Sequence, residues 1–293
     1  MTAASPRLRA DRVITAPAGR RDAVVNTIRQ ARHRLTLSLF RCDDEGIVAE
    51  IARAVDRGVQ VDVLVTSRSK GKKKLRRLWD ALESTGAFIH PYSDPVVKYH
   101  AKYLVADDGP ALVASLNFTR KCFRSTLDAL VLTYDPAVVD GLRRLQAADS
   151  DRTSIPAGLP ERLIVGPEQA RRQLTALIEG ARSSIRIIDK KLSDPMITSL
   201  LDAQRRAGIA VEVHGGKRVN GLRSHGKLML IDDQLAVIGG LALAALSLDF
   251  RREVALVVRD RRAVAVIARL FDAAAASAPA AKAAMGIEGS PAC

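Results

Sequence analysis

Two short segments of the chain carry the same residue types at the same spacing, in the pattern His-x-Lys-x4-Asp. They comprise His100, Lys102 and Asp107 in the first segment, and His225, Lys227 and Asp232 in the second. The segments lie in or beside apolar runs at 99–106 and 228–231, which predict strands. Residues two apart in a strand point to one face, so each segment is predicted to place an imidazole beside an ammonium. A neutral imidazole next to a fixed cation suits chemistry on a phosphate ester.

The two segments belong to a repeat that spans most of the chain. Adding 150 to a position in the first half finds its counterpart in the second, as in Pro17 and Pro167 or Gly58 and Gly208. From the histidines onward the offset is 125, so the first half carries 25 extra residues between its predicted strand at 59–65 and its motif. We therefore interpret the chain as a duplicated domain, each copy supplying half of one site.

The elements around the motifs alternate between strand and helix. In the first half the pattern predicts strands at 13–14, 34–40 and 59–65, and helices at 20–31 and 45–57. This alternation favours α/β layers, with helices on both faces of a largely parallel sheet. The hydrophobic period lapses at 148–161, where Asp, Ser, Pro and Gly cluster. The predicted units are a first repeat at 1–152, a second at 153–275 and a flexible Ala, Pro and Gly tail at 276–293.

The motifs resemble the phospholipase D superfamily, whose signature is His-x-Lys-x4-Asp-x6-Gly-Ser-x-Asn. The first copy continues with Ser115 and Asn117, whereas the second has Gly240 and Ala242 at those positions. The resemblance covers residues 13–271. It implies two repeated α/β/α domains related by pseudo-twofold symmetry, in an α/β/α/β/α-like pair with the active site at their interface.

The resemblance also implies how the histidines and lysines divide the work. One histidine forms a covalent phosphohistidine, and the other acts as general acid and then as general base. We assign His100 as the nucleophile and His225 as the acid and base, although the repeat alone fits either order. Lys102 and Lys227 are expected to clamp the nonbridging phosphate oxygens. The two motif aspartates are expected to brace the loop and the interface between the halves rather than touch the substrate.

Further polar groups are expected around the phosphate. Ser115 and Asn117 can donate hydrogen bonds to its oxygens, and Gly240 leaves backbone N–H groups accessible and opens space. The lopsided second half can equally be a half-degenerate site. Asp128 and Glu253, each 28 residues after a motif histidine, stand where the family places a carboxylate on the imidazole, which fixes its tautomer.

The charge balance indicates a polyanionic partner. The net charge is +14 at pH 7, which favours nucleic acid or anionic lipid head groups. The densest run, at 68–77, lies in the 25-residue insertion. It is either a solvated helix start or a contact to the substrate, and its presence in one repeat only favours the contact. The expected contact residues are Lys72, Lys73, Lys74, Arg76 and Arg77.

These observations predict a metal-independent phosphodiesterase or phosphatidyltransferase of phospholipase D type, acting on anionic phospholipids without a cofactor. The tandem arrangement in one chain is similar to that of bacterial cardiolipin synthases and phospholipases D. The alternatives are a nuclease of the same superfamily that cleaves DNA or RNA, and a catalytically weak module that binds polyanions. Motifs of serine hydrolases, zinc peptidases and P-loop nucleotidases are absent from the sequence.

The remaining features predict a cytoplasmic protein with contact to the membrane surface. The start of the chain lacks the apolar core of a secretory signal. The longest uncharged run, at 235–248, has 14 residues, against the roughly 20 needed to span a bilayer. The three cysteines, Cys42, Cys122 and Cys293, have no C-x-x-C spacing and predict neither a disulfide framework nor a zinc site. A monomer is expected, since one chain contains both half-sites.

Overall fold

The computed structural model describes residues 10–68, 71–215, 218–219 and 221–276. The predicted tail at 276–293 and Cys293 therefore lie outside the described residues, apart from the first residue of the tail. No helix in the described ranges is long and apolar enough to cross a membrane.

The first five predicted elements of the first repeat are observed to within three residues, but the strand predicted at 99–106 is interrupted at 100–102, between strands at Lys98–Tyr99 and Tyr103–Ala106. Helix α2, for example, begins after Asp44, whose carboxylate accepts a hydrogen bond from the Ile47 N–H. In chain order the elements are β1 (Arg12–Ile14), α1 (Pro17–Gln30), β2 (Arg34–Leu39), α2 (Glu45–Asp56), β3 (Gln60–Thr66), α3 (Lys72–Glu83), β4 (Phe88–Tyr92), β5 (Lys98–Tyr99), β6 (Tyr103–Ala106), β7 (Ala111–Ala114), α4 (Arg120–Ser125), β8 (Thr126–Leu127), β9 (Leu130–Thr133) and α5 (Pro136–Asp151).

The second repeat reproduces this order with the predicted offsets. Its helix α7 begins after Asp194, the counterpart of Asp44, which caps the helix in the same way. The elements are β10 (Leu163–Gly166), α6 (Ala170–Glu179), β11 (Ser184–Ile188), α7 (Pro195–Arg206), β12 (Ala210–Val213), β13 (Arg218–Val219), β14 (Leu222–Ser224), β15 (Lys227–Ile231), β16 (Leu235–Gly239), α8 (Ala245–Phe250), β17 (Arg251–Val258) and α9 (Arg261–Ala276).

Each repeat forms one sheet, and the two sheets have the same strand order. The order is β1-β9-β7-β6-β2-β3-β4 in the first and β10-β17-β16-β15-β11-β12 in the second. The prediction of a largely parallel sheet was wrong. Along these paths only β2-β3-β4 and β11-β12 pair in parallel. The other neighbours pair antiparallel, and two of these pairs, β6-β7 and β15-β16, are joined by the short turns 107–110 and 232–234, which connect only antiparallel strands.

The 25 extra residues of the first repeat form an additional helix and strand. Helix α3 and strand β4 fill the insertion, and β4 extends the sheet beside β3 in parallel. Helix α3 packs through Leu78 and Leu82, while the Trp79 indole N–H donates to the Thr66 carbonyl at 3.2 Å. The helix therefore lies at the end of β3.

The helices and sheets form five layers, and apolar clusters lie between them. One cluster joins α1 and α2 to the first sheet, and another joins α6 and α7 to the second. The third lies between the two sheets and includes Leu142 of α5 and Phe271 of α9, both fully buried. Burying one such side chain contributes about 1.5–3 kcal/mol. The predicted pseudo-twofold pair of α/β/α repeats is confirmed, with α5 and α9 as its central layer.

The repeats also exchange short strands at the edge where the motifs lie. Strand β5 of the first repeat pairs in parallel with the start of β17, and Lys98 stands opposite Arg251. Reciprocally, β14 of the second repeat pairs with β8, and Arg223 stands opposite Thr126. Each exchanged strand leads directly to a motif histidine, so backbone pairing between the halves positions the site.

Candidate active site

His100 meets a carboxylate from the opposite repeat. Its backbone N–H donates to the Arg252 carbonyl at 2.9 Å, which continues the pairing of β5 with β17. This pairing brings the imidazole Nδ1 into contact with Glu253 Oε1. The Glu253 side chain is fully buried, whereas 15% of the His100 side chain is exposed. His100 therefore retains an opening to solvent while its Nδ1 is occupied.

His225 forms the reciprocal pair with Asp128 of the first repeat. Its Nδ1 lies 3.0 and 3.1 Å from the two carboxylate oxygens. The Gly226 N–H donates to the Leu127 carbonyl at 2.7 Å, and a Cβ at position 226 would lie 2.7 Å from that oxygen. Only glycine permits this approach of the two strands. The two predicted carboxylates are thus on the imidazoles, but each serves the histidine of the other repeat.

Hydroxyl groups hold both carboxylates in place. Asp128 accepts hydrogen bonds from Ser115 Oγ at 2.7 Å and from Thr126 Oγ1 at 2.5 Å. Ser115 is fully buried, and its oxygen also accepts from the Ala129 N–H at 3.0 Å. The expectation that Ser115 donates to the phosphate is corrected, because its one proton goes to Asp128.

Ser247 supplies the corresponding hydroxyl in the second repeat. Its Oγ donates to Glu253 and accepts from the Ala242 N–H at 2.9 Å. Ser247 was not predicted as a site residue, and it occupies the position equivalent to Cys122. The signal in the sequence was a single hydroxyl side chain near the end of the uncharged run at 235–248. Ser247 replaces the hydroxyl that the second motif lost at Gly240.

The expected role of Gly240 also changes. Its backbone N–H donates to the Val254 carbonyl at 2.8 Å within the sheet, so it is not available to a substrate. The preceding Gly239 is the sterically required glycine, since a Cβ there would lie 2.3 Å from the same carbonyl oxygen. The Oδ1 atom of Asn117 in the first motif is buried without a hydrogen-bond partner among the described residues. This oxygen accepts hydrogen bonds, so only the amide NH2 of Asn117 can donate to a phosphate as predicted.

The two lysines are buried beside the histidines. Lys102 Nζ lies 2.7 Å from His100 Nδ1, which confirms the predicted contact. The shared strand face does not cause it, because His100 and Lys102 lie between β5 and β6. Lys227 begins β15 and is 8% exposed, against 2% for Lys102. Burial and the nearby Lys227 lower the pKa of Lys102, and Glu253 opposes this shift. The two half-sites therefore share one electrostatic environment.

Burial lowers the pKa of His100 well below its ordinary value, and the Lys102 ammonium adds to this effect. The Phe40 ring covers the imidazole, with the ring centroids 4.3 Å apart. The pKa of Glu253 is also lowered, since the contacts to His100 and Lys102 outweigh the burial that would raise it. The His225 contact likewise keeps the pKa of buried Asp128 below its usual range. His100 is thus held neutral against an ionised carboxylate.

The motif aspartates lie outside this cluster. Asp107 accepts hydrogen bonds from the backbone N–H groups of residues 32–34 at 2.8–2.9 Å. Asp232 does the same for residues 182–184 at 2.7–3.1 Å. Both stand at positive φ, 44° and 53°, in the turn after a motif strand. They brace the loop before β2 or β11, as predicted, but not the interface between the halves.

One group of side chains has the proximity of a metal site. Ligand atoms of Cys122, Asp128 and His225 lie within 4.8 Å of one another. The oxygens of Asp128 already accept from Ser115 and Thr126 and contact His225. The histidine and carboxylate thus satisfy each other without an ion.

The predicted polyanion contacts begin helix α3. Lys72, Lys73, Lys74, Arg76 and Arg77 are all exposed, and within the described ranges none pairs with an acidic side chain. Helix α3 lies at the carboxyl end of β3, beside the parallel strand β2, which is followed by the His100 neighbour Phe40. The basic residues are therefore at the same edge of the sheet as the histidines.

The chain is similar to known proteins in sequence and in fold. A family model described as "Cardiolipin synthase, PLD-like domain" matches residues 24–148 and 184–275. Cardiolipin synthase A of Pseudomonas entomophila (strain L48) is 28% identical over 131 residues, which are 44% of this chain and 27% of that protein. The chain thus matches about a quarter of that relative's length.

Two solved structures share the fold. Polyphosphate kinase from Porphyromonas gingivalis superposes with a TM-score of 0.76 at 21% identity, over 89% of this chain and 46% of that chain. Phosphatidylserine synthase from Haemophilus influenzae Rd KW20 superposes with a TM-score of 0.67 at 12% identity, over 91% and 87% of the two chains. At these identities the likeness establishes the architecture alone.

Proposed function

The chain belongs to the family of phospholipase D-like domains, and we propose that it is a metal-independent phosphodiesterase or phosphatidyltransferase acting on phospholipids through a phosphohistidine. The observation that carries this proposal is the crossed pair of histidine and carboxylate contacts, His100 with Glu253 and His225 with Asp128, beside two buried lysines. A phosphodiester needs a nucleophile, a proton donor and cations for its oxygens. The cluster offers all three.

In the first step, His100 Nε2 attacks the phosphorus. The N–P bond forms while the P–O bond to the leaving alcohol breaks, and His225 transfers a proton to the departing oxygen. His100 suits the nucleophilic role because its lowered pKa keeps a lone pair free on Nε2. Glu253 holds the Nδ1 proton and stabilises the positive charge that develops on the ring.

In the second step, His225 is neutral and removes a proton from water or from an acceptor alcohol. The oxygen attacks the phosphorus, the N–P bond breaks, and both histidines return to their starting forms. Water gives hydrolysis, and an alcohol gives transfer. Lys102 and Lys227 neutralise the nonbridging oxygens in both transition states.

Two observations favour a phospholipid as the substrate. The family model and the curated relative both carry the name cardiolipin synthase. The net charge of +14 and the exposed basic residues of α3 suit an anionic lipid surface. The same charge suits nucleic acid, so a nuclease remains the second candidate.

A side-by-side turnover assay tests the proposal with phosphatidylglycerol, phosphatidylcholine, plasmid DNA and bis-(p-nitrophenyl) phosphate. We expect turnover of lipid and of the small diester, unchanged in EDTA, with losses of at least about 10²- to 10⁴-fold in His100→Ala and His225→Ala. Cleavage of DNA without cleavage of lipid would replace the lipid proposal by the nuclease.

The chelator arm tests the mechanism separately. Activity that EDTA abolishes and a divalent ion restores would overturn the mechanism with two histidines. It would direct attention to Cys122, Asp128 and His225, whose ligand atoms lie together. Cys122→Ala would then lose activity, whereas the proposed mechanism expects this variant to keep it.

A further inference from the structure

The two pseudo-equivalent rims of the site have opposite chemistry. Helix α4 flanks β8 and Asp128, and helix α8 flanks the start of β17 and Glu253 at the equivalent place in the second repeat. The offset of 125 pairs Lys121 of α4 with Leu246 of α8, and Arg124 with Asp249. The basic rim carries cations without acidic partners among the described residues. The apolar rim carries exposed apolar side chains and one carboxylate, Asp249, that Arg171 neutralises at 2.6 Å.

The basic rim encloses a cleft of about 370 Å³. Its cations are Lys121 and Arg124 of α4 together with Arg218 and Arg223 of the β13-β14 hairpin, and none of the described residues that line it is acidic. Arg218 donates to the Gly221 carbonyl at 2.8 Å. None of the four pairs with an acidic side chain among the described residues. All four side chains are exposed, and a cleft lined by cations that have no acidic partner in the described ranges attracts an anion, more strongly the more charge that anion carries.

The cleft adjoins His225. Arg223 precedes the histidine by two residues, a distance of about 7 Å along an extended chain. On the opposite wall, Arg124 precedes β8, and β8 leads to the Asp128 carboxylate that contacts the imidazole. In the proposed mechanism His225 protonates the leaving alcohol and deprotonates the acceptor. An anionic group in the cleft would therefore be a substituent of the leaving alcohol or of the acceptor alcohol.

The apolar rim lies on the His100 side. Leu246 and Phe250, four residues apart on one face of α8, are 47% and 46% exposed, and Val96 is 61% exposed. The pairing of β5 with β17 places the chain after Val96 beside the chain after Phe250. Arg68 donates to the Pro95 carbonyl at 3.2 Å, which joins this loop to the chain that leads into basic helix α3. Exposed apolar side chains next to cations match the interface of an anionic bilayer.

We propose that the site binds an amphiphilic phosphodiester in one orientation. The acyl part lies on the apolar rim beside His100, and the alcohol carries a second phosphoryl group that binds in the basic cleft beside His225. This proposal rests on the proposed function and specifies its substrate class. It also determines which part of the substrate leaves first: the anionic alcohol departs on the His225 side, and the phosphatidyl group stays bound to His100.

Calorimetric titration of the full chain with pyrophosphate tests the cleft without turnover. We expect Arg124→Gln/Arg223→Gln to weaken binding about 10-fold or more, since charge-assisted hydrogen bonds are lost. Arg206→Gln, which removes an exposed cation from α7, should bind as the wild type does. Binding unchanged in the double variant, or no binding by the wild type, would overturn the cleft.

Turnover of three diesters tests the orientation. They are bis-(p-nitrophenyl) phosphate, dihexanoyl phosphatidylcholine and dihexanoyl phosphatidylglycerol phosphate. The arginine double variant should lower kcat/KM about 10-fold for the third only. Leu246→Asn/Phe250→Asn should lower it several-fold for both lipids, whereas Phe88→Asn, at a 61% exposed apolar position at the start of β4, should lower it for none.

The outcomes separate this proposal from the proposed function. If no diester is turned over, the proposed function fails, and the pyrophosphate titration still decides whether the cleft binds an anion. Equal losses for all three diesters in either double variant would contradict the orientation while the enzyme itself stands.

Discussion

The Glu253 carboxylate, in the second repeat, contacts the Nδ1 atom of His100, in the first. Asp128 and His225 form the same relationship in reverse, at 3.0 Å. A repeat alone therefore has a histidine without its carboxylate and a carboxylate without its histidine. The backbone pairing of the exchanged strands β5 and β14 brings each histidine to the carboxylate of the other repeat.

Neutralising either carboxylate should impair the histidine of the other repeat. We expect Glu253→Gln and Asp128→Asn each to lower kcat about 10²- to 10⁴-fold, because the amide no longer stabilises a positive imidazole. Steady-state kinetics with bis-(p-nitrophenyl) phosphate measures this effect. Glu212→Gln, at a half-exposed carboxylate of β12, is the control and should keep full activity.

The identity of the nucleophile should appear in a pH profile. In His225→Ala, bis-(p-nitrophenyl) phosphate should still label His100, since p-nitrophenolate leaves without a proton. The lowered pKa of His100 means that the ring stays neutral when pH falls through the ordinary histidine value of about 6.5. We therefore expect the labelling rate to be constant from pH 8 to pH 5. Rapid quench measures this rate, and peptide mapping identifies the labelled residue. A rate that falls with a midpoint near 6.5, or label at another residue, would contradict this assignment.

The basic start of α3 should bind polyanions without taking part in the chemistry. Replacing Lys72, Lys73, Lys74, Arg76 and Arg77 by Gln should leave turnover of a small diester nearly unchanged. Affinity for anionic vesicles should fall by about 1 kcal/mol for each cation near the surface. For duplex DNA each lost phosphate contact should lower the log–log salt slope by about 0.9.

The control for α3 is Arg172→Gln/Arg206→Gln, which removes two exposed cations from helices of the second repeat. The loss of polyanion affinity per removed charge should be much smaller in this control than in the α3 variant. A loss for DNA alone would favour the nuclease. Unchanged affinity for both polyanions would mean that α3 presents a solvated surface only.

Asp107 should make the stability of the fold depend on acid pH. Burial opposes its ionisation, but the backbone N–H groups of residues 32–34 lower its pKa overall. Because the folded pKa lies below the unfolded value of about 3.9, the stabilisation is complete above that value and is lost as pH falls through the folded pKa. Urea unfolding should show that Asp107→Asn costs about 1–2 kcal/mol at pH 7 and less at pH 3.

The neighbouring Asp108→Asn is the matched control for this measurement. Asp108 is fully exposed, and among the described residues its one ion pair is with Arg143, at 3.1 Å. We expect a change of less than about 0.5 kcal/mol at either pH. A pH-independent cost for Asp107→Asn would indicate that its hydrogen-bond geometry, and not its charge, holds the loop.

Much of the architecture followed from local patterns in the chain. The offsets of 150 and 125 placed the repeats, and helices α2 and α7 begin at the equivalent capping residues Asp44 and Asp194. The prediction of a largely parallel sheet was wrong, because hydrophobic alternation does not distinguish parallel from antiparallel pairing. That distinction depends on the turns between the strands, such as residues 107–110.

The sequence alone determined which residues could do chemistry, because residue type and spacing in a repeat are local properties. Only the tertiary structure decided their partners. It crossed Glu253 to His100 and directed the Ser115 hydroxyl to Asp128, and it identified Ser247 as the support of the second carboxylate. The Glu253 contact joins residues from different repeats, and it forms only when the exchanged strands pair. The two serine contacts lie within one repeat each, and they depend on how a buried hydroxyl packs against the carboxylate.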